Sequence, residues 1–236
     1  LWEGATLDLN WSLGWSLDKN YQFTTDPQGY QIIDQVRSSG KISRSFLSFP
    51  DFLFFSYFDT NIKSVSRRYK ELQADASDTR TPGNKLAEAF EYGLEAVPWL
   101  SEVLNGLLPR VNYGFKWEGV EKLSFLEDVA DRISLEHRYT STLASDYEHD
   151  PDDGTRNTTR KNVESGFSPL IGINMGWNEL WGGNMTITAQ WGKNVNYSLI
   201  TSSSSIQEAK TDNLTLDAKY RKQGFEMPFL GLTLKN

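Results

Sequence analysis

The chain contains no cysteine, which excludes disulfides and thiolate metal sites. Histidine occurs twice, so imidazole chemistry can rest only on His137 or His149. No stretch reaches the roughly 20 consecutive apolar residues of a membrane-spanning helix. Positive charge is not in excess either: 24 Lys and Arg against 31 Asp and Glu give a net charge of -7, which argues against nucleic acid as a partner. A mean hydropathy of -0.52 resembles that of a water-soluble protein. That average is blind to a membrane β-barrel, whose lumen and lipid faces alternate residue by residue.

What the chain does have is aromatic residues in alternating segments. Eight Trp, ten Tyr and thirteen Phe make up 13% of its 236 residues. "ATLDLNWSLGWSLD" sets Leu7, Leu9, Trp11, Leu13, Trp15 and Leu17 on one face against Asp8, Asn10, Ser12, Gly14, Ser16 and Asp18. A weaker run carries Tyr30, Ile32, Val36, Gly40, Ile42 and Phe46. Val111, Tyr113, Phe115 and Trp117 alternate with polar residues, as do Ile133, Leu135, His137, Tyr139 and Leu143. Ile171, Ile173, Met175 and Trp177 repeat the pattern. After the hairpin turn "NELWGGN", Met185, Ile187, Ala189, Trp191, Val195, Tyr197 and Leu199 form the longest run. Leu214, Leu216, Ala218 and Tyr220 follow, then Leu230, Leu232 and Leu234. Period-two alternation of this kind predicts antiparallel strands, mostly joined as hairpins.

Two stretches change period. "TNIKSVSRRYKELQ" places Ile62, Val65, Tyr69 and Leu72 at helical spacing, with Thr60 or Asn61 as N-cap. A second helix carries Leu86, Phe90, Leu94 and Val97 up to Pro98. The expected organisation is strands with an aromatic-rich link over 1–59, a helical insert over 60–108, and strands again over 109–236. The chain opens on Leu1 and "FLGLTLKN" stops inside an alternating run, which predicts a piece of something longer.

Strand length decides the expected class. Soluble strands average about 5–6 residues. A dozen residues reach roughly 40 Å, enough to cross a hydrophobic band of about 25 Å even when tilted. The polar face is rich in Asn, Ser, Thr, Gln and Gly, as a wet lumen would be. The fold class expected is therefore all-β: an antiparallel transmembrane β-barrel segment, about eight long strands of a larger barrel, with a helical insert. Its lumen face would carry Asn10, Ser12, Ser16, Asn174, Thr186, Thr188, Gln190 and Asn194. Trp2, Trp177 and Trp181 lie where an interfacial girdle would.

The sequence carries no catalytic constellation. His137 lies on the apolar face of its strand with no nucleophile or carboxylate in its motif, and reads as a packed histidine. His149 sits in "SDYEHDPDDGTRN", where Glu148, Asp150 and Asp152 suggest calcium. The EF-hand pattern fails, since Asp153 occupies the glycine position, and a solvated loop is the reading. Arg67, Arg68 and Lys70 read as the solvated face of the first helix. Neither an enzyme nor a cofactor is expected.

Several motifs carry a resemblance. "FSPLIGINMGW", with Phe167, Ser168, Pro169, Leu170, Ile171, Gly172, Ile173 and Asn174, closely resembles a hallmark segment of the SprA family, the outer-membrane translocons of the type 9 secretion system. "EAKTDNLTLDAKYR" follows it, as in that family. Upstream, "NYGFKWEGVEKLSFLEDVADRISLEHRYTST" resembles a strand, a link and a strand ending in His137, Tyr139, Ser141 and Thr142. The similarity spans nearly the whole chain and is strongest over 111–223. It implies a very large single-chain barrel in the outer membrane of a Gram-negative-type bacterium, conducting folded proteins to the cell surface and linked to gliding motility. Its implied partners are outer-membrane lipid, secreted cargo proteins and accessory secretion-system proteins. The alternation by itself also fits another outer-membrane barrel, such as a porin or a lipopolysaccharide-inserting protein, or a soluble secreted β-sandwich binding protein.

Overall fold

The computed structural model describes residues 4–48, 62–95, 109–151 and 154–222, and the backbone of 226–227 and 232–233. In chain order the elements are β1 (Ala5–Asn10), β2 (Leu13–Thr25), β3 (Gln31–Ser45), α1 (Ile62–Ala74), α2 (Pro82–Leu94), β4 (Asn112–Glu118), β5 (Arg132–His149), β6 (Arg156–Leu180), β7 (Gly183–Ile200) and β8 (Ser205–Arg221). Two short strands, β9 (Glu226–Met227) and β10 (Leu232–Thr233), pair only with each other. Trp2, Thr60, Asn61, Val97, Asp152, Leu230 and Leu234, expected above to have structural roles, lie outside the described residues.

One antiparallel eight-stranded sheet organises the chain, and among the described residues it does not close into a barrel. Along one edge of β5, Ser134–Tyr139 pair with β4 and Thr142–His149 pair with β3. The two are halves of one strand, interrupted by the helical insert. β1 and β2 are likewise two halves of the opening strand, the first on β4 and the second on β3. The expected single strand from Ala5 to Asp18 is thus broken at Trp11 and Ser12.

The break has a physical cause. At Ser45 the chain leaves the sheet for the insert, and it returns at Arg110. The backbone groups exposed there need new partners. Ser45 N–H donates to Ser12 O at 2.9 Å, while the Ser45 hydroxyl accepts from Ser12 N–H at 3.1 Å. Arg110 N–H donates to Ser45 O, and the Asn112 side-chain carbonyl accepts from Ser141 N–H, each at 2.9 Å.

The hairpins follow local turn chemistry. Trp181 and Gly182 form the two-residue link between β6 and β7, both at positive φ (52° and 74°), as the twist of a tight hairpin demands. A bulge at Asp34 sets Ile33 opposite Phe23, so Ile33, rather than the expected Ile32, shares a face with Val36.

α1 and α2 pack as an antiparallel pair on the apolar side of the sheet. Their interior residues Val65, Leu72, Leu86, Phe90 and Leu94 meet Leu143, Val163, Val195, Tyr197 and Leu199 of β5, β6 and β7. Burying each large side chain contributes about 1.5–3 kcal/mol. Ile62, expected on the buried face, is 37% exposed because it opens its helix beyond the edge of the contact. α2 starts cleanly: the Thr81 hydroxyl accepts from Asn84 N–H at 3.3 Å, and Pro82 fills the first helical position. Gly93 is required by the approach of the helices, since a Cβ there would lie 2.5 Å from Val65 N. The link from Val120 to Ala130 folds back on the same side of the sheet, over Ile133, Leu135, Ile173 and Met175.

Candidate functional site

The register sorts the strand residues onto two faces. On one face, row follows row of polar side chains: Asn10 opposite Asn112, Ser16 opposite Lys41, Asn174 opposite Ser134 and Thr188, and Thr186 opposite Gly176. Gln190 lies opposite Gly172 and Thr215, and Asn194 opposite Gly166 and Thr211. Seven of the eight residues expected to line a lumen therefore share this one polar face of the sheet; Ser12 sits at the break instead. Charge on this face is heavier than the sequence suggested. Lys116 pairs with Glu118 at 2.5 Å, Arg138 with Glu136 at 3.8 Å and Lys219 with Asp217 at 3.5 Å, each pair two residues apart along one strand.

The other face is apolar, and part of it is bare. Leu7 and Leu9 on β1 are 61% and 55% exposed, and Leu214 and Leu216 on β8 are 81% and 73% exposed. Ile171, Trp191, Leu13, Trp15 and Leu17 are exposed on the same side. The helix pair covers this face toward the β7–β8 turn, and the Val120–Ala130 link covers it toward the β6–β7 turn, leaving a belt between them.

The two segments that carry the family resemblance meet at the middle of the sheet. Tyr139 pairs with Phe167, after which β6 takes extra residues that β5 and β7 do not match. The bulge spans Ser168, Pro169 and Leu170, with a cis peptide before Pro169. Pro169 closes over Gly172, where a Cβ would lie 2.8 Å from the Pro169 ring. On the apolar side, His137 ties the bulge down: its Nδ1–H donates to Leu170 O at 2.6 Å. That bond fixes the tautomer, so Nε2 accepts from the Tyr113 hydroxyl at 3.3 Å. The rings of Tyr113, His137, Tyr139 and Phe167 lie with centroids 5.2 to 5.6 Å apart. Tyr139 is fully buried, and its hydroxyl donates to Ser48 O and accepts from Ser48 N–H, each at 2.9 Å. His137 is thus a packed, hydrogen-bonded residue. Ser141 is buried beside Ser165, and Thr142 pairs with Ser45 at the departure of the insert.

Sequence reasoning missed the ionic cluster beneath α2. Glu91 bridges two strands: its Oε1 accepts from Arg44 Nη2 of β3 at 2.6 Å, and its Oε2 takes Lys161 Nζ of β6. Burial alone would raise its pKa; Lys161 and Arg44 overcome that and hold it near 2. One turn further, Glu95 accepts from Arg110 Nε at 2.6 Å, both side chains at most 2% exposed. There burial wins, and the Glu95 carboxyl is held above its usual range despite Arg110. The signal was present: alternation places Arg44 and Lys161 on the apolar face of their strands, beside Ile42 and Val163.

On the polar face a hollow of about 810 Å³ opens beside the bulge, between Glu136, Arg138, Pro169, Gln190 and Asn194. Among the described residues, no group of three His, Asp or Glu is placed to hold a metal ion. No protein-family model matches the chain, and no curated protein matches it in sequence.

Proposed function

We propose that this sheet is part of the wall of an outer-membrane β-barrel that conducts secreted proteins to the cell surface, in the manner of the SprA-like translocons its motifs resemble. The observation that carries the reading is the bare apolar belt on one face of the sheet, opposite a face that is polar along its whole length. A monomer in water rarely leaves so large an apolar surface open. Lipid would cover the belt, and the polar face would line the conduit.

Two further features support this. A transmembrane strand needs about 9–11 residues, whereas β5, β6, β7 and β8 have 18, 25, 18 and 17. In β5, β6 and β7 the surplus lies under the helix pair and the Val120–Ala130 link, which would form collars at either margin of the membrane. The belt also crosses the strands obliquely. The row through Leu13, Arg44, Leu143, Val163 and Tyr197 ends on Glu208, so the first strand stays apolar where the last has become charged. Strands tilted by about 35–45° to the membrane normal give this slant.

The absence of cysteine permits a direct test. Single cysteines at positions 213 to 220 of β8, in the full-length protein in lipid, are labelled with a charged thiol reagent. Asn213, Thr215, Asp217 and Lys219 positions should react quickly, and Leu214, Leu216, Ala218 and Tyr220 positions slowly. Equal rates along the strand would rule out a lipid-facing belt. Conduction is tested separately: bulky residues at Thr188 and Gln190 should slow export of secreted proteins while surface levels of the barrel hold.

A further inference from the structure

The protein is acidic overall, yet one cavity is basic. It occupies about 500 Å³ between α1, α2 and the start of β6, away from the bulge and the polar face. Its wall carries Arg68, Arg80, Arg156 and Lys161 against Glu88 and Glu91, four cations to two carboxylates. Glu91 is already shared by Arg44 and Lys161. Glu88 is shared by Arg68, at 3.4 Å, and Arg80, whose Nε and Nη2 also donate to Asp78 at 2.9 and 2.8 Å.

Two donors remain. Among the described residues Arg156 has no carboxylate within ion-pair distance; its guanidinium lies 3.9 Å above the Tyr147 ring. The Nε–H of Arg68 is buried without an acceptor among the same residues. The cavity is also held in shape. Asn84, in the first turn of α2, donates to Arg156 O at 3.3 Å and Asn157 Oδ1 at 3.1 Å, and accepts from Thr158 N–H at 2.9 Å. Helix and strand are thereby clamped where Arg156 projects.

We propose that this cavity binds a phosphate-bearing group, held by Arg156 and Arg68. Arg156, which has no carboxylate partner among the described residues, leaves the cavity with an open guanidinium, and guanidinium forks match phosphate oxygens better than a single ammonium does. The ligand would join α1 and β6, so its binding strengthens the docking of the helix pair. The site stands on its own geometry, whatever lies on the two faces of the sheet. Its phosphate could come from free solute or from the head group of a phosphorylated glycolipid.

The test uses the full-length protein in detergent, titrated with inorganic phosphate at constant ionic strength, with hydrogen exchange of the α2 amides as readout. The same protein is then placed in nanodiscs of phosphatidylethanolamine with or without phosphorylated lipopolysaccharide. Protection of α2 by inorganic phosphate identifies a free-phosphate site; protection only in the lipopolysaccharide discs identifies a glycolipid head group. Arg156→Gln should weaken either response about tenfold, and Arg156→Lys less, as loss of one charge-assisted contact predicts. Lys219→Gln, on the polar face, should change nothing. Arg68 lies on α1, so Arg68→Gln gives a second variant that spares the sheet if Arg156→Gln disturbs it. No protection of the wild-type chain by either source, or full protection of both Gln variants, would overturn the proposal.

Discussion

Glu91→Gln should undock the second helix without unfolding the sheet. The wild-type carboxylate is 19% exposed and lies between Arg44 and Lys161, which are 2% and 10% exposed. Moving a carboxyl from its ordinary 4.5 to about 2 corresponds to roughly 3 kcal/mol of preferential interaction with the ionised form. Breaking a buried ion pair by removing one partner costs about 3–5 kcal/mol, which agrees. Glutamine keeps the shape and one hydrogen bond but leaves two cations facing each other. If helix opening is local, a loss of 3 kcal/mol makes α2 amides exchange roughly a hundredfold faster, while β6 amides stay protected. Replacing all three partners together, as Arg44→Met, Glu91→Leu and Lys161→Met, should restore most of the protection, because the desolvation cost vanishes with the charges. If α2 in Glu91→Gln exchanged within threefold of wild type while Phe90→Ala accelerated it, the ionic reasoning would be wrong and apolar packing alone would hold the helix.

The two carboxyls of this cluster predict a docking optimum in pH. Glu95 is held above its ordinary value, so its ionised form costs stability, and that cost is relieved as pH falls toward 4.5. Glu91 is held below, so its contribution is whole above 4.5 and is lost as pH falls further, toward about 2. The distance between spin labels at Lys70→Cys and Gln207→Cys should therefore sharpen from neutral to mildly acidic pH and broaden below 4.5; a change in one direction only would contradict the assignment. Gly93→Ala forces a methyl against the Val65 backbone and should destabilise the helix pair by about 1–3 kcal/mol, read as faster exchange in both α1 and α2 with β7 unaffected.

Much of this architecture was legible locally. A strand's two faces are set by neighbours two residues apart, so the alternation of Met185 to Trp191 or Leu214 to Tyr220 reports its own faces. Helix periodicity is equally local, and Leu86, Phe90 and Leu94 fell on the buried side as their spacing required. The turn at Trp181 and Gly182 was readable from its glycines. The resemblance pointed to Phe167–Asn174 and His137–Thr142 as special segments, and the structure brings His137 against Leu170 and Tyr139 against Phe167.

Other features depend on partners far away in sequence, and no local pattern encodes them. The division of the opening strand at Ser12 exists only because β3 yields to the insert at Ser45, 33 residues further on. The bulge at Pro169 alters register against two neighbours at once. Glu91 lies 47 residues from Arg44 and 70 from Lys161, so their cluster forms only when helix and sheet dock. Alternation places Arg44 and Lys161 on the apolar faces of their strands, but nothing near them in sequence shows what neutralises them. The sequence by itself determined which residues form strands and helices and which side of each is apolar, because those are properties of near neighbours. Only the tertiary structure decided how much of that apolar side stays bare, because that depends on where the helix pair and the Val120–Ala130 link come to rest.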